Sequence, residues 1–158
     1  MTISHADAGG AFHVAAPNTP VYDTNDTRVM KHVPPPLASR LTSEELFSGG
    51  TIDLKLLMHT FAREGKLTVD AAEILLKKAL AILKSEENLI EIEAPVHVFG
   101  DIHGQLFDMF SWWEKAGPLE EVKQLWLGDY VDRGAFGCEC ALWLLANKGV
   151  FCSVVVSV

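Results

Sequence analysis

The order of apolar and helical stretches in the second half of the chain constrains the fold more than any other feature. Strand-like apolar runs at residues 95–99, 123–127 and 150–158 alternate with segments of helical periodicity at residues 105–116 and 139–148. This strand–helix–strand–helix–strand order predicts a parallel sheet with right-handed crossovers. We therefore predict an α/β fold with a βαβαβ unit, and we expect any ligand to bind beyond the carboxyl ends of the strands.

The first half of the chain predicts helices that precede this βαβαβ unit. Thr42 with Glu45 three residues later is a capping-box pattern, which opens a short helix that Gly49 and Gly50 close. A second helix is predicted before Gly65, because apolar residues recur there at i, i+3, i+4 and i+7. These apolar residues are Leu54, Leu57, Met58 and Phe61.

A third helix is predicted after Thr68, which has the side chain of an N-cap. Asp70 and Glu73 lie near the positive end of this helix, where negative charge is favourable. Helical spacing predicts one apolar face, and we expect that face to lie in the core. The face comprises Ala72, Leu76, Ala79, Leu80 and Leu83.

Residues 1–37 predict a flexible arm rather than part of the core. They contain five of the seven prolines, and proline fixes φ and donates no amide hydrogen bond. We predict a domain boundary after residue 37, with residues 38–158 forming the folded part. The prolines of the arm are Pro17, Pro20, Pro34, Pro35 and Pro36.

Composition and charge exclude several classes of protein. The formal net charge of −8 argues against non-specific binding to nucleic acid or to an anionic membrane. The most apolar run, residues 150–158, is far shorter than the roughly 20 residues that cross a bilayer, and no secretory signal is visible. The odd number of cysteines, at Cys138, Cys140 and Cys152, favours reduced thiols. We predict a soluble, cytoplasmic protein that binds neither nucleic acid nor membrane.

Two glycine-flanked polar loops follow the first two predicted strands. Residues 100–104 read Gly-Asp-Ile-His-Gly, and residues 128–134 read Gly-Asp-Tyr-Val-Asp-Arg-Gly. The carboxylate of Asp101 and the imidazole of His103 together suit a transition metal such as iron, manganese or zinc. Asp129 follows the neighbouring strand, and its two oxygens allow it to bridge two ions. Two metals roughly 3.5–4 Å apart can activate water and clamp a phosphoryl group.

Two further residues of the second loop fit the chemistry of phosphate esters. Arg133 carries a planar charged fork that matches phosphate oxygens, and Asp132 is placed to orient a neighbouring histidine. Each motif alone has an ordinary explanation: Asp101 and His103 fit a capped loop, Asp132 and Arg133 fit an ion pair, and His97 fits a strand residue. Neither loop has the glycine spacing of a dinucleotide site or a P-loop. Taken together at adjacent strand ends, the two loops favour a metal-dependent site that cleaves phosphoesters.

The joined pattern of the two loops resembles the phosphoprotein phosphatase family of serine/threonine phosphatases. Segments at residues 29–34, 40–42, 64–67 and 87–96 resemble the calcineurin-type members in particular, and the similarity covers residues 28–148. The resemblance implies a truncated metallophosphoesterase-type α/β sandwich. The folded part is then the amino-terminal portion of an incomplete catalytic domain.

The resemblance also implies a role for each site residue. Asp101, His103 and Asp129 match metal ligands, with Asp129 bridging two ions of iron, zinc or manganese. Asp132 matches the carboxylate that orients the catalytic histidine, and Arg133 matches a phosphate-binding arginine. The implied reaction is hydrolysis of phosphoserine and phosphothreonine in phosphoproteins by metal-activated water. Calcineurin B-like and calmodulin-type proteins are the implied regulators, although their main binding segments are absent from this chain.

The next motif of the family, Gly-Asn-His-Glu, has no counterpart here, because residues 151–158 read Phe-Cys-Ser-Val-Val-Val-Ser-Val. We therefore expect an inactive fragment that arises from truncation, a splice form or an altered reading frame. Two other functions stay open: another metallophosphoesterase, such as a dinucleotide or phosphodiester hydrolase, and a non-catalytic binding module that competes for phosphatase partners. The Tyr-Val-Asp-Arg sequence and the helical residues 42–85 favour the protein phosphatase.

Overall fold

The computed structural model describes residues 33–119, 121–151 and 154–156. For residues 155 and 156 only the backbone is described. Most of the arm predicted at residues 1–37 lies outside the described residues, so it stays a prediction. None of the helices in the described ranges has the length and apolarity that a bilayer crossing requires. The elements are helices α1 (Ser43–Leu46), α2 (Leu54–Ala62) and α3 (Val69–Leu83), then β1 (Val96–Phe99), α4 (Leu106–Ala116), β2 (Lys123–Trp126), α5 (Gly137–Lys148) and β3 (Val154–Val156).

The amino-terminal caps that the sequence predicts for α1 and α3 are both present. Thr42 Oγ1 accepts from the Glu45 amide at 3.3 Å, and Glu45 Oε2 accepts from the Thr42 amide at 2.9 Å, which completes the capping box. Hydrogen bonds from the Thr42 backbone and side chain lower the pKa of Glu45. Thr68 caps α3 by accepting from the Ala71 amide at 3.4 Å. The cap of α2 is Asp53, which the apolar periodicity did not indicate.

The three strands form a parallel sheet in the order β1-β2-β3, which confirms the predicted α/β fold. β3 begins later than predicted. The amides of Val150 and Phe151 both donate to the Asn147 carbonyl, so the turn that ends α5 continues through these two residues. The prediction of a strand from residue 150 onward was therefore wrong at its start.

α2 packs on the face that the sequence predicts. Leu57 and Phe61 are buried, and Leu54 and Met58 are half-buried against them. The helix ends at Ala62, shortly before the predicted stop. The 3.6-residue period of the apolar side chains therefore predicts the core face of this helix correctly.

The core face of α3 differs from the predicted one. The buried stripe is Ala71, Leu75 and Ala79, whereas Leu76 and Leu80 are 45% and 49% exposed. α3 is apolar on more than one side, so periodicity alone cannot select the side that faces the core. The packing of α3 against α1 and α5 selects the stripe of residues spaced four apart. The prediction was correct for Ala79 and wrong for the two exposed leucines.

Aromatic side chains fill the space between the sheet and the helices α4 and α5. Trp126 on β2 is fully buried, with its ring centroid 4.3 Å from that of Phe99 on β1 and 6.0 Å from that of Trp113 on α4. Trp143 on α5 meets the Trp113 ring edge-on at 5.5 Å. Because alternate strand residues point to opposite faces, Val98 lies on the other face of the sheet and is exposed.

Two cysteines of α5 differ in environment, and we expect them to differ in reactivity. Burial, together with the neighbouring Glu139 carboxylate, raises the pKa of Cys140 to about 12, whereas Cys138 is exposed. Alkylation proceeds through the thiolate and requires access. Iodoacetamide at pH 8 should therefore modify Cys138 in the folded chain and reach Cys140 only after unfolding in urea. Peptide mass mapping measures both sites, and equal labelling of the two in the folded chain would contradict this packing.

Candidate metal centre

Two loops meet at the carboxyl edge of the sheet and are bonded to each other. Loop 1 (residues 100–105) follows β1, and loop 2 (residues 127–136) follows β2, so parallel pairing brings both to one edge. The His103 amide donates to the Asp129 carbonyl at 2.8 Å, and the Gly134 amide donates to the His103 carbonyl at 2.8 Å. These backbone hydrogen bonds hold the loops as one unit, at the position that the sequence predicts.

The contact between the loops leaves no room for a side chain at two glycines. A Cβ atom on Gly104 would lie 2.9 Å from the Gly134 carbonyl oxygen, and a Cβ atom on Gly134 would lie 2.8 Å from the Gly104 carbonyl carbon. Gly104 also has φ of +72°, which residues with side chains rarely adopt. Gly104 and Gly134, the last glycines of the two motifs, are therefore needed for the loops to approach each other.

Four residues of the site have left-handed backbone conformations. The φ angles are 43° at His103, 52° at Asp129, 64° at Asp132 and 57° at Arg133. Such conformations cost on the order of 1–3 kcal/mol each and persist only where the surrounding structure enforces them. Backbone hydrogen bonds between the loops involve His103 and Asp129 themselves, and those made by Tyr130 and Gly134 hold the backbone on either side of Asp132 and Arg133. All four residues are ones that the sequence predicted to belong to the site.

The three predicted metal ligands lie together. Asp101, His103 and Asp129 each offer one ligand atom, and these atoms lie within 4.8 Å of one another. His103 Nε2 is 3.7 Å from Asp101 Oδ2 and 3.8 Å from Asp129 Oδ2. The side chains of Asp101 and Asp129 are 68% and 64% exposed, and that of His103 is 14% exposed. The cluster therefore has an open, negatively charged side and an imidazole at its inner side.

The hydrogen bonding of His103 defines the ring nitrogen that can bind a cation. Nδ1 lies 2.8 Å from the Val131 carbonyl oxygen, which can only accept, so Nδ1 carries the proton. In the neutral imidazole, Nε2 then has a free lone pair. This atom is buried, and it has no hydrogen-bond partner among the described residues. A buried lone pair between two carboxylates fits a metal ion, and this set of nitrogen and oxygen ligands suits zinc, iron or manganese.

The remaining predicted site residues lie outside this cluster. Asp132 and Arg133 follow Val131 on loop 2, and both are exposed. Their roles in orienting a histidine and in binding phosphate stay predictions. His97 is an exposed residue of β1, in agreement with its interpretation as a strand residue.

Sequence reasoning missed two groups that shape the site. The Val131 carbonyl orients His103, and a backbone carbonyl leaves no signal in a sequence. The Tyr130 hydroxyl donates to the Trp126 carbonyl at 2.8 Å and so fixes the start of loop 2 on β2. Tyr130 lies inside the second motif, but only the structure gives its partner.

Comparison with known proteins relates the chain to one family. Residues 94–157 match the model of the calcineurin-like phosphoesterases. The chain is 41% identical over 129 residues to the serine/threonine-protein phosphatase 2B catalytic subunit A2 of Saccharomyces cerevisiae, and 37% identical over 133 residues to the subunit A1. These alignments cover 81% and 83% of this chain.

The similarity extends to a solved structure. A protein serine/threonine phosphatase of Saccharomyces cerevisiae, with similarity to human phosphatase PP5, aligns with a TM-score of 0.57 and 26% sequence identity. The alignment covers 61% of this chain and 33% of that one. The chain spans only 21% and 24% of the lengths of the two yeast phosphatase 2B subunits. The resemblance to serine/threonine phosphatases that the sequence predicts is thereby confirmed.

Proposed function

We propose that this chain is part of a metal-dependent protein serine/threonine phosphatase and that loops 1 and 2 form half of its active site. The observation that carries the proposal is the free, buried Nε2 of His103 between the carboxylates of Asp101 and Asp129. The names of the relatives, which are serine/threonine-protein phosphatases, support the reaction class. Phosphoproteins are the proposed substrates.

Each ligand has a proposed task at this centre. Asp101 and His103 would hold one ion, and Asp129 would share in holding a pair of ions. When bound, a pair of ions supplies an activated water and a clamp for the phosphoryl group. Iron, zinc and manganese are the proposed metals, because the centre combines imidazole with carboxylates. The Val131 carbonyl keeps Nε2 aimed at the ion by holding the proton on Nδ1.

The exposed end of loop 2 has the proposed task of binding the substrate. Arg133 offers two parallel donors to phosphate oxygens, a geometry that lysine does not reproduce. Asp132 precedes it and orients a histidine supplied from elsewhere in the complete protein. Calcineurin B-like and calmodulin-type regulators are proposed only for that complete protein. The cytoplasm is the proposed location, since an odd number of cysteines favours reduced thiols.

A chimera tests the proposed reaction in a complete catalytic domain. Residues 28–148 of this chain replace the matching stretch of the yeast phosphatase 2B catalytic subunit A2, and the product is assayed on a phosphoserine peptide with and without Mn²⁺. We expect metal-dependent hydrolysis of the peptide and no hydrolysis of bis(p-nitrophenyl) phosphate. Activity on the diester alone would replace the proposal with a phosphodiester hydrolase.

Substitution of Arg133 in the same chimera tests the substrate side of the site. We expect Arg133→Ala to lower kcat/KM by about 10²–10³-fold, the loss typical of one donor to a developing oxyanion. Arg133→Lys is the matched control, because it keeps the positive charge and loses the planar pair of donors. Its kcat/KM should fall between that of the unsubstituted chimera and that of Arg133→Ala. A chimera that tolerates Arg133→Ala without loss would remove the phosphate-binding assignment.

A further inference from the structure

Three side chains fix the point at which loop 2 enters α5. Lys66, on the connection between α2 and α3, forms an ion pair with Glu139 in the first turn of α5. Its Nζ also lies 5.7 Å from the centroid of the Phe136 ring, within reach of a cation–π contact. We call these three residues the exit anchor. Phe107 of α4 also contacts Phe136, with the two rings nearly perpendicular and their centroids 5.4 Å apart.

The buried carboxylate of Glu139 is stabilised by the positive charge of Lys66. The Glu139 side chain is only 5% exposed, and a buried carboxylate is costly unless a cation pairs with it. Lys66 supplies that cation from a half-exposed position. The Lys66 carbonyl accepts from the Leu41 amide at 2.9 Å, and the Arg40 guanidinium donates to the Leu67 carbonyl at 3.1 Å. The lysine therefore extends from a fixed backbone rather than from a free loop.

The exit anchor connects to the metal ligands through a short series of backbone contacts. The Phe136 amide donates to the Gly104 carbonyl at 3.2 Å, and the Gly134 amide donates to the His103 carbonyl. Between Asp129 and Gly134, the strained conformations of Asp132 and Arg133 need both ends of loop 2 to be held. Tyr130 holds the first end on β2, and the exit anchor holds the second.

We propose that Lys66 and Glu139 are positioning residues of the metal centre. They touch none of the three ligands, and they act by holding Phe136 so that loop 2 keeps its hydrogen bonds to loop 1. The proposal rests on the proposed metal centre, and it goes further by assigning a function to an ion pair between residues far apart in the sequence. A purely structural pair would stabilise α5 without any particular effect on the loops.

Glu139→Gln in the 158-residue chain separates these two roles. Binding of Mn²⁺ is followed by the loss of the free-ion signal in electron paramagnetic resonance, and loop order is followed by hydrogen exchange with mass spectrometry at low micromolar concentration. We expect Mn²⁺ affinity to fall about tenfold, as for residues that support a metal ligand. Peptides covering residues 131–136 should exchange faster, while peptides covering residues 141–147 of α5 keep their protection.

Matched variants exclude trivial explanations. Lys77→Met breaks an exposed ion pair with Glu73 on α3 and should change neither measurement. Lys66→Met should reproduce the effect of Glu139→Gln, and Lys66→Arg should restore affinity because it keeps the charge. If Glu139→Gln fails to fold, Phe136→Leu offers a second test, since it removes the ring and keeps an apolar side chain in place.

The possible results separate the two proposals. Unchanged Mn²⁺ affinity and unchanged exchange of loop 2 in the Glu139 and Phe136 variants would overturn the positioning role and leave the metal centre intact. Equal acceleration of exchange throughout α5 and loop 2 would also overturn it, because that pattern marks a general loss of stability. Failure of the parent chain to bind Mn²⁺ would instead overturn the metal centre, and with it the positioning role.

Discussion

Replacement of Asp129 by asparagine is expected to abolish measurable Mn²⁺ binding by the 158-residue chain, a loss of more than about 100-fold. Changes to a residue that merely supports a ligand cost about 10–100-fold, and Asp129 is itself a proposed ligand. The substitution isolates the charge, because asparagine tolerates the φ of 52° that this position adopts. Its amide oxygen keeps the shape of the carboxylate and loses the negative charge that faces His103 Nε2.

The measurement is a titration with Mn²⁺ followed by electron paramagnetic resonance, with circular dichroism to verify the fold. Asp108→Asn, in the first turn of α4, is the matched control, since it makes the same chemical change at another exposed aspartate. Binding by the control together with loss in the Asp129 variant supports the ligand set. Equal affinity of both variants would show that Asp129 is not a ligand.

The same substitution has a second expected effect in the chimera. Asp129→Asn should weaken binding of both ions, because the proposed bridging carboxylate belongs to both. Arg133→Ala should leave metal content unchanged and weaken binding of the substrate. Metal analysis of the purified variants distinguishes these results.

Those parts of the fold that depend on local patterns could be predicted from the sequence. The Thr42 capping box and the apolar face of α2 follow from residues a few positions apart, and the parallel sheet follows from the order of the elements. The core face of α3 could not be predicted, because Leu76 and Leu80 obey the helical period as well as Leu75 does. The choice between these stripes is made by α1 and α5, which are distant in sequence.

The candidate site, like the fold, could be predicted from the sequence only in part. The grouping of Asp101, His103 and Asp129 was predictable, because strand ends meet at one edge of a parallel sheet. The sequence does not predict which nitrogen of His103 is free to bind a cation, since this depends on a hydrogen bond to a backbone carbonyl 28 residues away. The pairing of Lys66 with Glu139 could not be predicted either, because these residues are 73 positions apart in the sequence. The Val131 carbonyl lies outside the motif that contains His103, and Lys66 and Glu139 lie outside both motifs.

A polypeptide of these 158 residues is expected to have no appreciable phosphatase activity, at least about 10²–10⁴-fold below the chimera. General acid catalysis alone accounts for a factor of that size, and no histidine follows His103 in the sequence to supply it. Asp132 therefore has no later histidine to orient.

The metal content of this polypeptide points in the same direction. The described residues supply one cluster of three potential ligands, which would hold one ion and would offer few ligands to a second. Loss of the two-metal arrangement compounds the loss of the acid. The assay uses a phosphoserine peptide with excess Mn²⁺, and the chimera made from the same residues serves as the positive control.

The physical state of the polypeptide must be measured with its activity, because its apolar surface favours self-association. Val98 and Leu127 are 56% and 55% exposed, and a cavity of about 430 Å³ beside β1 is lined by Phe99 and Trp112. β1 and β3 are the outer strands of the described sheet, and open edges invite pairing with other chains. Size-exclusion chromatography should therefore show oligomers or aggregates. A monodisperse monomer with metal-dependent phosphatase activity would refute both expectations, since three ligands from two loops would then suffice for the reaction.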